Sequence, residues 1–377
     1  MASSSSLLLN ANFFKPKAPR VSEENVLYFI SKHLDSIIAI ELFMASYPDV
    51  YRRELNDVYL RLKPIHEDFL NKIFSAKLKQ AEKILLANPE FVFLLLTLKG
   101  SAKNSRGHTI KGTPLQIAAA ALDVGYHDGE EGMVEMLIRH MKKLPNGESI
   151  IAKQLKERFP DDYEDHSDTI DKINLSELDI VFHSIKQFDG LTINGTHPKF
   201  ALDIFLAKQS ATNSGLNFSN KSLITSLRFY DKHYIKYDAY HPIINWGAKP
   251  ARLSFTWSNL IGTLQDSFPD NILLALQQGI SHITNEQKHL DRDSKLNIQD
   301  LGNDFAFNAL GQQAPNHYVK YIQRSGIGIW PPAPSGYDKA SPMTKCTTKY
   351  FKRKKAVLKE ILNEFTKEPK KTSSFRF

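Results

Sequence analysis

The sequence predicts an all-α protein, and three features of its 377 residues carry that expectation. Apolar residues recur at helical spacing in several separate blocks, a well-formed helix start stands at Thr113-Pro114, and residues 351 to 365 form an amphipathic stripe through Leu358, Ile361, Leu362 and Phe365.

In chain order, residues 1 to 20 read as a disordered N-terminus. Residues 21 to 160 read as one helical domain with its caps, residues 172 to 330 as a second helical region, and residues 331 to 377 as an irregular segment and a basic terminal helix. The first block places Val26, Leu27, Phe29, Ile30, Leu34, Ile37, Ile38, Ile40 and Leu42 at helical intervals until Pro48. A further helix is expected over 50 to 62. A helix start follows at Pro64-Ile65-His66, ahead of Phe69, Leu70, Ile73 and Phe74, and then a helix over 78 to 87 stopped by Asn88-Pro89. Residues 91 to 98 are an apolar run, and the polar stretch 100 to 111 leads to the central motif.

That motif is Gly112-Thr113-Pro114-Leu115-Gln116-Ile117-Ala118-Ala119-Ala120. Thr113 is suited to be an N-cap, and Pro114 at the first helical position loses no needed donor. The alanines leave a face that a second helix can approach closely. A helix over 133 to 141 completes the pair after a polar tongue, Gly125 to Glu131, and Pro145-Asn146-Gly147 closes it. A helix over 148 to 159 caps the stack, and the acid-rich stretch 160 to 171 marks the expected domain boundary. Beyond it, helices are expected over 175 to 188 and 199 to 208. A further pair over 251 to 266 and 269 to 283 sets Trp257, Leu260, Ile261 and Leu264 against Ile272, Leu273, Leu276 and Ile280.

The motif resembles the ankyrin signature T-P-L-H-x-A-A, with Gln116 where the family usually has His, and Pro64-Ile65-His66 resembles a degraded copy. The likeness covers about residues 62 to 145. Together with Asp128-Gly129-Glu130-Glu131-Gly132-Met133, Leu144-Pro145-Asn146-Gly147 and Phe159-Pro160, it is similar to a group of ankyrin-bearing proteins from bacteria that live inside eukaryotic cells. It implies an irregular ankyrin-like helical stack followed by a second helical region. It also implies a cytoplasmic interaction protein, with delivery into a host cell as a further implication. Two units are fewer than the three or so that a freestanding solenoid needs, so flanking helices are expected to finish the stack.

Composition excludes several classes. With 42% hydrophobic and 24% charged residues, the chain reads as an ordinary globular protein. Cys346 is the only cysteine, so no intramolecular disulfide and no multi-thiolate zinc site can form. No apolar run reaches the roughly 18 residues that span a bilayer. The formal charge of +8 is concentrated at the end: residues 350 to 377 hold nine Lys or Arg against three Glu. That tail, with Lys352-Arg353-Lys354-Lys355, offers an anionic surface a contact, whether lipid or nucleic acid, or forms a solvated helix face.

No catalytic motif is present: there is no nucleophile elbow, phosphate-binding Gly-rich loop or H-E-x-x-H, and no cofactor is expected. The aromatic stretch 228 to 241 holds Asp231, His233, Asp238 and His241 at spacings that fit no zinc pattern. An enzyme built around His233, Asp238 and His241 is the alternative from another class. The leading expectation is a protein-binding scaffold. Its contact residues are those of the loops beside the motif, namely Lys103, Asn104, Arg106, His108 and Lys111 before it and Tyr126, His127 and Asp128 after it.

Overall fold

A computed structural model describes residues 26–30, 34–46, 49–160, 165–188, 198–209, 216, 218, 220–234, 252, 255–296, 305–307, 313–315 and 340–366. The expectations for residues 1 to 20, for Asp238 and His241, and for residues 331 to 339 of the irregular segment lie outside these. The chain is all-α, as its periodicity predicts; among the described residues the only strands are two short antiparallel hairpins. It divides into two units, Met1–His66 and Glu67–Phe377. The boundary expected at 160 to 171 therefore falls inside the second unit.

In the first unit, helix α1 (Ile37–Ser46) is followed by α2 (Asp49–Phe74), which runs across the division. Lys63 donates to Glu41 at 2.8 Å, and the rings of Phe29 and Phe43 stand 5.0 Å apart. Pro64 lies inside α2 rather than at a helix start, so the expected second copy of the motif is absent here. The reason is the stripe on either side of it. Leu55, Val58, Tyr59, Leu62, His66, Phe69, Leu70 and Ile73 are all buried, at intervals that keep one helical face in phase straight through the proline. That burial outweighs the one ladder bond Pro64 cannot make.

The second unit continues with α3 (Leu78–Ala87), a 3-10 turn (Pro89–Phe91) and α4 (Val92–Thr97). Strands β1 (Gly100–Lys103) and β2 (Thr109–Gly112) pair antiparallel, with Ala102 opposite Ile110 and Lys103 opposite Thr109. The stretch that reads only as polar hides a two-residue alternation: Ala102 and Ile110 are buried, while Ser101, Lys103, Thr109 and Lys111 are exposed. Gly107, at φ +81°, supplies the left-handed residue of the turn.

Helices α5 (Pro114–Ala120), α6 (Met133–Met141) and α7 (Gly147–Arg158) follow. The start of α5 is the motif at work. Thr113 Oγ1 accepts from Gln116 N at 3.4 Å, while Gln116 Oε1 accepts from Thr113 N at 3.0 Å, closing a capping box. Gln116 does more than close the box, because its Nε2 donates to Gln154 O at 3.0 Å and ties α5 to α7. Thr113 Oγ1 donates to Gln154 Oε1 at 2.7 Å, and Gln154 Nε2 donates to Leu96 O at 3.1 Å. Thr113→Val is therefore expected to cost about 2 kcal/mol, a cap plus a buried hydrogen bond. Denaturant melts check this, and Thr113→Ser should recover most of the loss.

Helix α4 packs on α5 and α3 on α6, so the chain doubles back on itself across the hairpin. Strict tandem copies would stack like on like, first helix on first helix. The small-residue face of α5, with Ala118 to Ala121 all buried, is what admits α4, α6 and α7 together.

Beyond α7 come α8 (Asp165–Gln187), α9 (Pro198–Gln209) and α10 (Asn220–Tyr234). The expected pair 251 to 283 is split further. It consists of a π-helical segment (Phe255–Ile261) continuing as α11 (Gly262–Asp266), then α12 (Asp270–Gln277) and α13 (Ile280–Asn285). The eight apolar residues named for that pair are all buried. A second hairpin pairs β3 (Phe305–Phe307) with β4 (Gln313–Pro315). The terminal helix α14 (Ala340–Thr366) packs on α7, α10 and α13, burying Phe351, Leu358 and Leu362. Rings of Phe218, Phe268 and Phe351 meet with centroids 5.2 to 5.9 Å apart. No helix among the described residues is long and apolar enough to cross a membrane.

Candidate partner-binding surface

The loops expected to meet a partner divide sharply into residues that hold the fold and residues that face outward. At the β1–β2 turn, Asn104 is buried and its Nδ2 donates to Asp270 Oδ1 at 3.1 Å, while its own Oδ1 accepts from the amides of Arg106 and His108. Ser105 Oγ donates to Asp270 Oδ2 at 2.7 Å. Arg106, whose side chain is 6% exposed, pairs with Asp266 at 2.8 Å and donates to Phe268 O. Burial pushes its guanidinium below the usual range, and the two aspartates oppose that. His108 is half-buried, and burial followed by the Arg106 charge pushes its imidazole down. Asn104 and Arg106, expected to contact a partner, are placed inside the fold, where they latch the hairpin to the end of α11 and the start of α12.

The tongue makes the same division. It follows Asp123 and is held by two carboxylates, Glu130 within it and Glu135 in α6. Glu130 Oε2 accepts from the amides of Tyr126 and His127, each at 3.0 Å, and Glu135 accepts from Gly125 and Gly132 at 3.0 and 3.1 Å. Its two limbs cross so closely that a Cβ on Gly132 would lie 2.4 Å from Val124 C, and one on Gly125 2.0 Å from Glu130 O. Tyr126 is buried and stacks on Tyr350 of α14 with centroids 5.2 Å apart, which removes it too from a partner's reach. His127 Nε2 lies 3.2 Å from Lys288 O, and its ring is 5.1 Å from that of His289. Asp128, at the exposed tip, takes Arg353 Nη2 at 2.6 Å.

Beneath the tongue lies a charged group that local sequence reasoning missed. Asp123, 1% exposed, faces both terminal nitrogens of Arg292: Nη1 donates to Oδ2 at 3.0 Å, and Nη2 pairs with Oδ1 at 2.6 Å. Burial opposes the Arg292 charge, but Asp123 outweighs it and raises the guanidinium pKa. Lys354 of α14 is also 1% exposed and donates Nζ to Val124 O. For Glu130, the upward push of burial is overcome by the His127 and Tyr126 amides and by Lys354, so its carboxyl is held low; burial raises Glu135. The signal for Lys354 was available: Tyr350, Lys354, Leu358 and Leu362 recur every fourth residue, which places the lysine on the helix's apolar face.

This placement also bears on the basic tail. Of Lys352-Arg353-Lys354-Lys355, Lys354 points into the core and Arg353 grips the tongue through Asp128 and Tyr126 O, leaving Lys352 exposed. Residues 367 to 377 lie outside the described residues. Of the residues named for an alternative enzyme, His233 stands in the last turn of α10 with its ring 4.7 Å from that of Phe229, and burial lowers its pKa. No group of three or more His, Cys, Asp or Glu among the described residues is arranged to hold a metal ion.

What remains outward is Lys103 and Lys111 on the exposed face of the hairpin, and His127 and Asp128 on the tongue. Neither Lys103 nor Lys111 makes an ion pair with any described residue. No protein-family model, curated protein or solved structure matches the chain.

Proposed function

We propose that this chain is a protein-binding scaffold, in which an ankyrin-like helical unit presents the β1–β2 hairpin and the tongue tip to a partner protein. The observation that supports it is the contrast within the hairpin. Its turn is pinned through Asn104, Ser105 and Arg106 to Asp266 and Asp270, while Lys103 and Lys111 stand exposed with no described acid to neutralise them. A rigid body carrying uncommitted side chains on a short hairpin is the arrangement recognition loops use, because little ordering entropy is lost on binding. By its resemblance to the ankyrin-bearing proteins of intracellular bacteria, the chain acts in the cytoplasm, with delivery to a host cell as the setting.

A photo-crosslinking residue at Lys103, Lys111 or Asp128 is expected to capture the same partner from the native cytoplasm. The same probe at exposed Glu148, at the far end of α7, should not. Equal capture from all four positions would remove this surface from consideration.

A further inference from the structure

We propose that the free edge of β2 takes an extended acidic peptide as a third strand. This rests on the protein-binding reading and names the partner's chemistry.

The hairpin's hydrogen-bonding phase decides which groups are open. Asn104 N donates to His108 O at 3.1 Å, and Gly107 N donates to Asn104 O at 3.0 Å, so residues 104 and 108 form a bonded pair. Bonded pairs alternate along an antiparallel ladder, so Ala102 with Ile110 and Gly100 with Gly112 also bond inward. Ser101, Lys103, Thr109 and Lys111 therefore turn their amides and carbonyls to the outer edges. One edge is already engaged, because Lys103 N donates to Asn71 Oδ1 at 2.7 Å. On the other, the backbones of Thr109 and Lys111 bond to no described residue. An unpaired edge of this kind is a template for an added strand.

Charge selects the occupant. The residues with outward backbone groups also have exposed side chains, so a strand laid beside β2 places every second side chain next to Lys111 and Thr109. Lys103, diagonally across from Lys111, is within reach of a long carboxylate side chain on that same face. Lys99 continues the face, though Glu157 at 3.1 Å partly neutralises it. A peptide with Glu at alternate positions thus meets ammonium groups on one face and backbone partners along its edge. The latch at Asp266 and Asp270 fixes that edge in place before the peptide arrives.

The probe is a fluorescein-labelled peptide of alternating Glu and Val, titrated against the full chain by anisotropy. Saturable binding is expected, weakened by about tenfold or more in the Lys103→Glu/Lys111→Glu double variant, a change of about 1.4 kcal/mol or greater. Thr109→Pro deletes an outward amide and leaves the inward ladder intact, so it should weaken binding comparably with an unchanged melting temperature. A peptide of equal charge interrupted by prolines should bind about tenfold more weakly than the alternating one. Full-strength binding of the prolyl peptide, or of the alternating peptide to Thr109→Pro, would overturn strand addition. Tighter binding of a single-stranded oligonucleotide, lost in the charge-reversed variant, would overturn the acidic peptide. Crosslinks from Lys103 and Lys111 that persist when the peptide fails would leave the scaffold reading standing and reject only this inference.

Discussion

Replacing Arg292 by alanine is expected to lower the unfolding free energy by about 3 to 5 kcal/mol, the cost of stranding a buried carboxylate. Asp123 sits at the base of the tongue, immediately after α5, with its own carbonyl accepting from Val134 N at 3.0 Å. It has no route to water at 1% exposure. Arg292 also plugs the segment 286 to 296 into the body. Around it, Gln278 and Asp291 exchange hydrogen bonds of 2.6 and 2.8 Å, and Lys77 donates to Arg292 O and Ser294 O. Asp123→Asn should also be destabilising, because it leaves the buried Arg292 guanidinium without its counter-charge, although the amide oxygen can still accept from it. The double variant should be more stable than the two single losses added together, since removing either partner is costly mainly while the other's charge stays buried and unpaired. Urea melts of the four proteins test this. Strict additivity would mean that the pair makes no net contribution, whatever its geometry.

Legibility from sequence tracks how local the cause is. The motif at Thr113-Pro114 and the helices 78 to 87 and 133 to 141 stand where periodicity and capping place them, because each is fixed by neighbours within one or two turns. Pro64 misled because a proline is a strong local signal, whereas the stripe from Leu55 to Ile73 that overrides it becomes visible only over five turns. The roles of the loop residues were hidden for a related reason. The partners of Asn104 and Arg106 lie some 160 residues ahead in the sequence, and those of Tyr126 and Asp128 about 225. An arginine in a polar loop looks the same whether it faces solvent or a distant aspartate. The hairpin was legible in principle, through Ala102 and Ile110 at alternate positions around a Gly-containing turn, but four-residue strands carry little signal.

Lys354 is expected to make the protein more stable as the pH rises from about 8 toward 9.5, the opposite of ordinary alkaline behaviour. Burial drives its ammonium from 10.5 down to about 8, with Arg292 adding to the effect and Asp123, Glu130 and Glu135 resisting it. Between those two values the unfolded chain keeps a proton that the folded chain has released, so deprotonation favours folding. The full effect is on the order of 3 kcal/mol. Below pH 8 both states are protonated and the penalty of burying the charge is constant. The neighbouring phenols do not obscure this window. Burial raises both Tyr126 and Tyr350, so they withdraw stability only above pH 10, where the unfolded chain ionises first. Lys354→Met should abolish the rise. At pH 7 it should also be the more stable protein, since the removed penalty exceeds the roughly 1 kcal/mol lost with the hydrogen bond to Val124 O. Chemical denaturation at pH 7.5, 8.5 and 9.5 distinguishes the outcomes, and a flat wild-type profile would mean that the surrounding carboxylates fully compensate the buried charge. The contrast with Arg292 is one of geometry. A guanidinium held by both oxygens of a single aspartate is worth its burial, whereas an ammonium donating to one carbonyl beside that same aspartate is not.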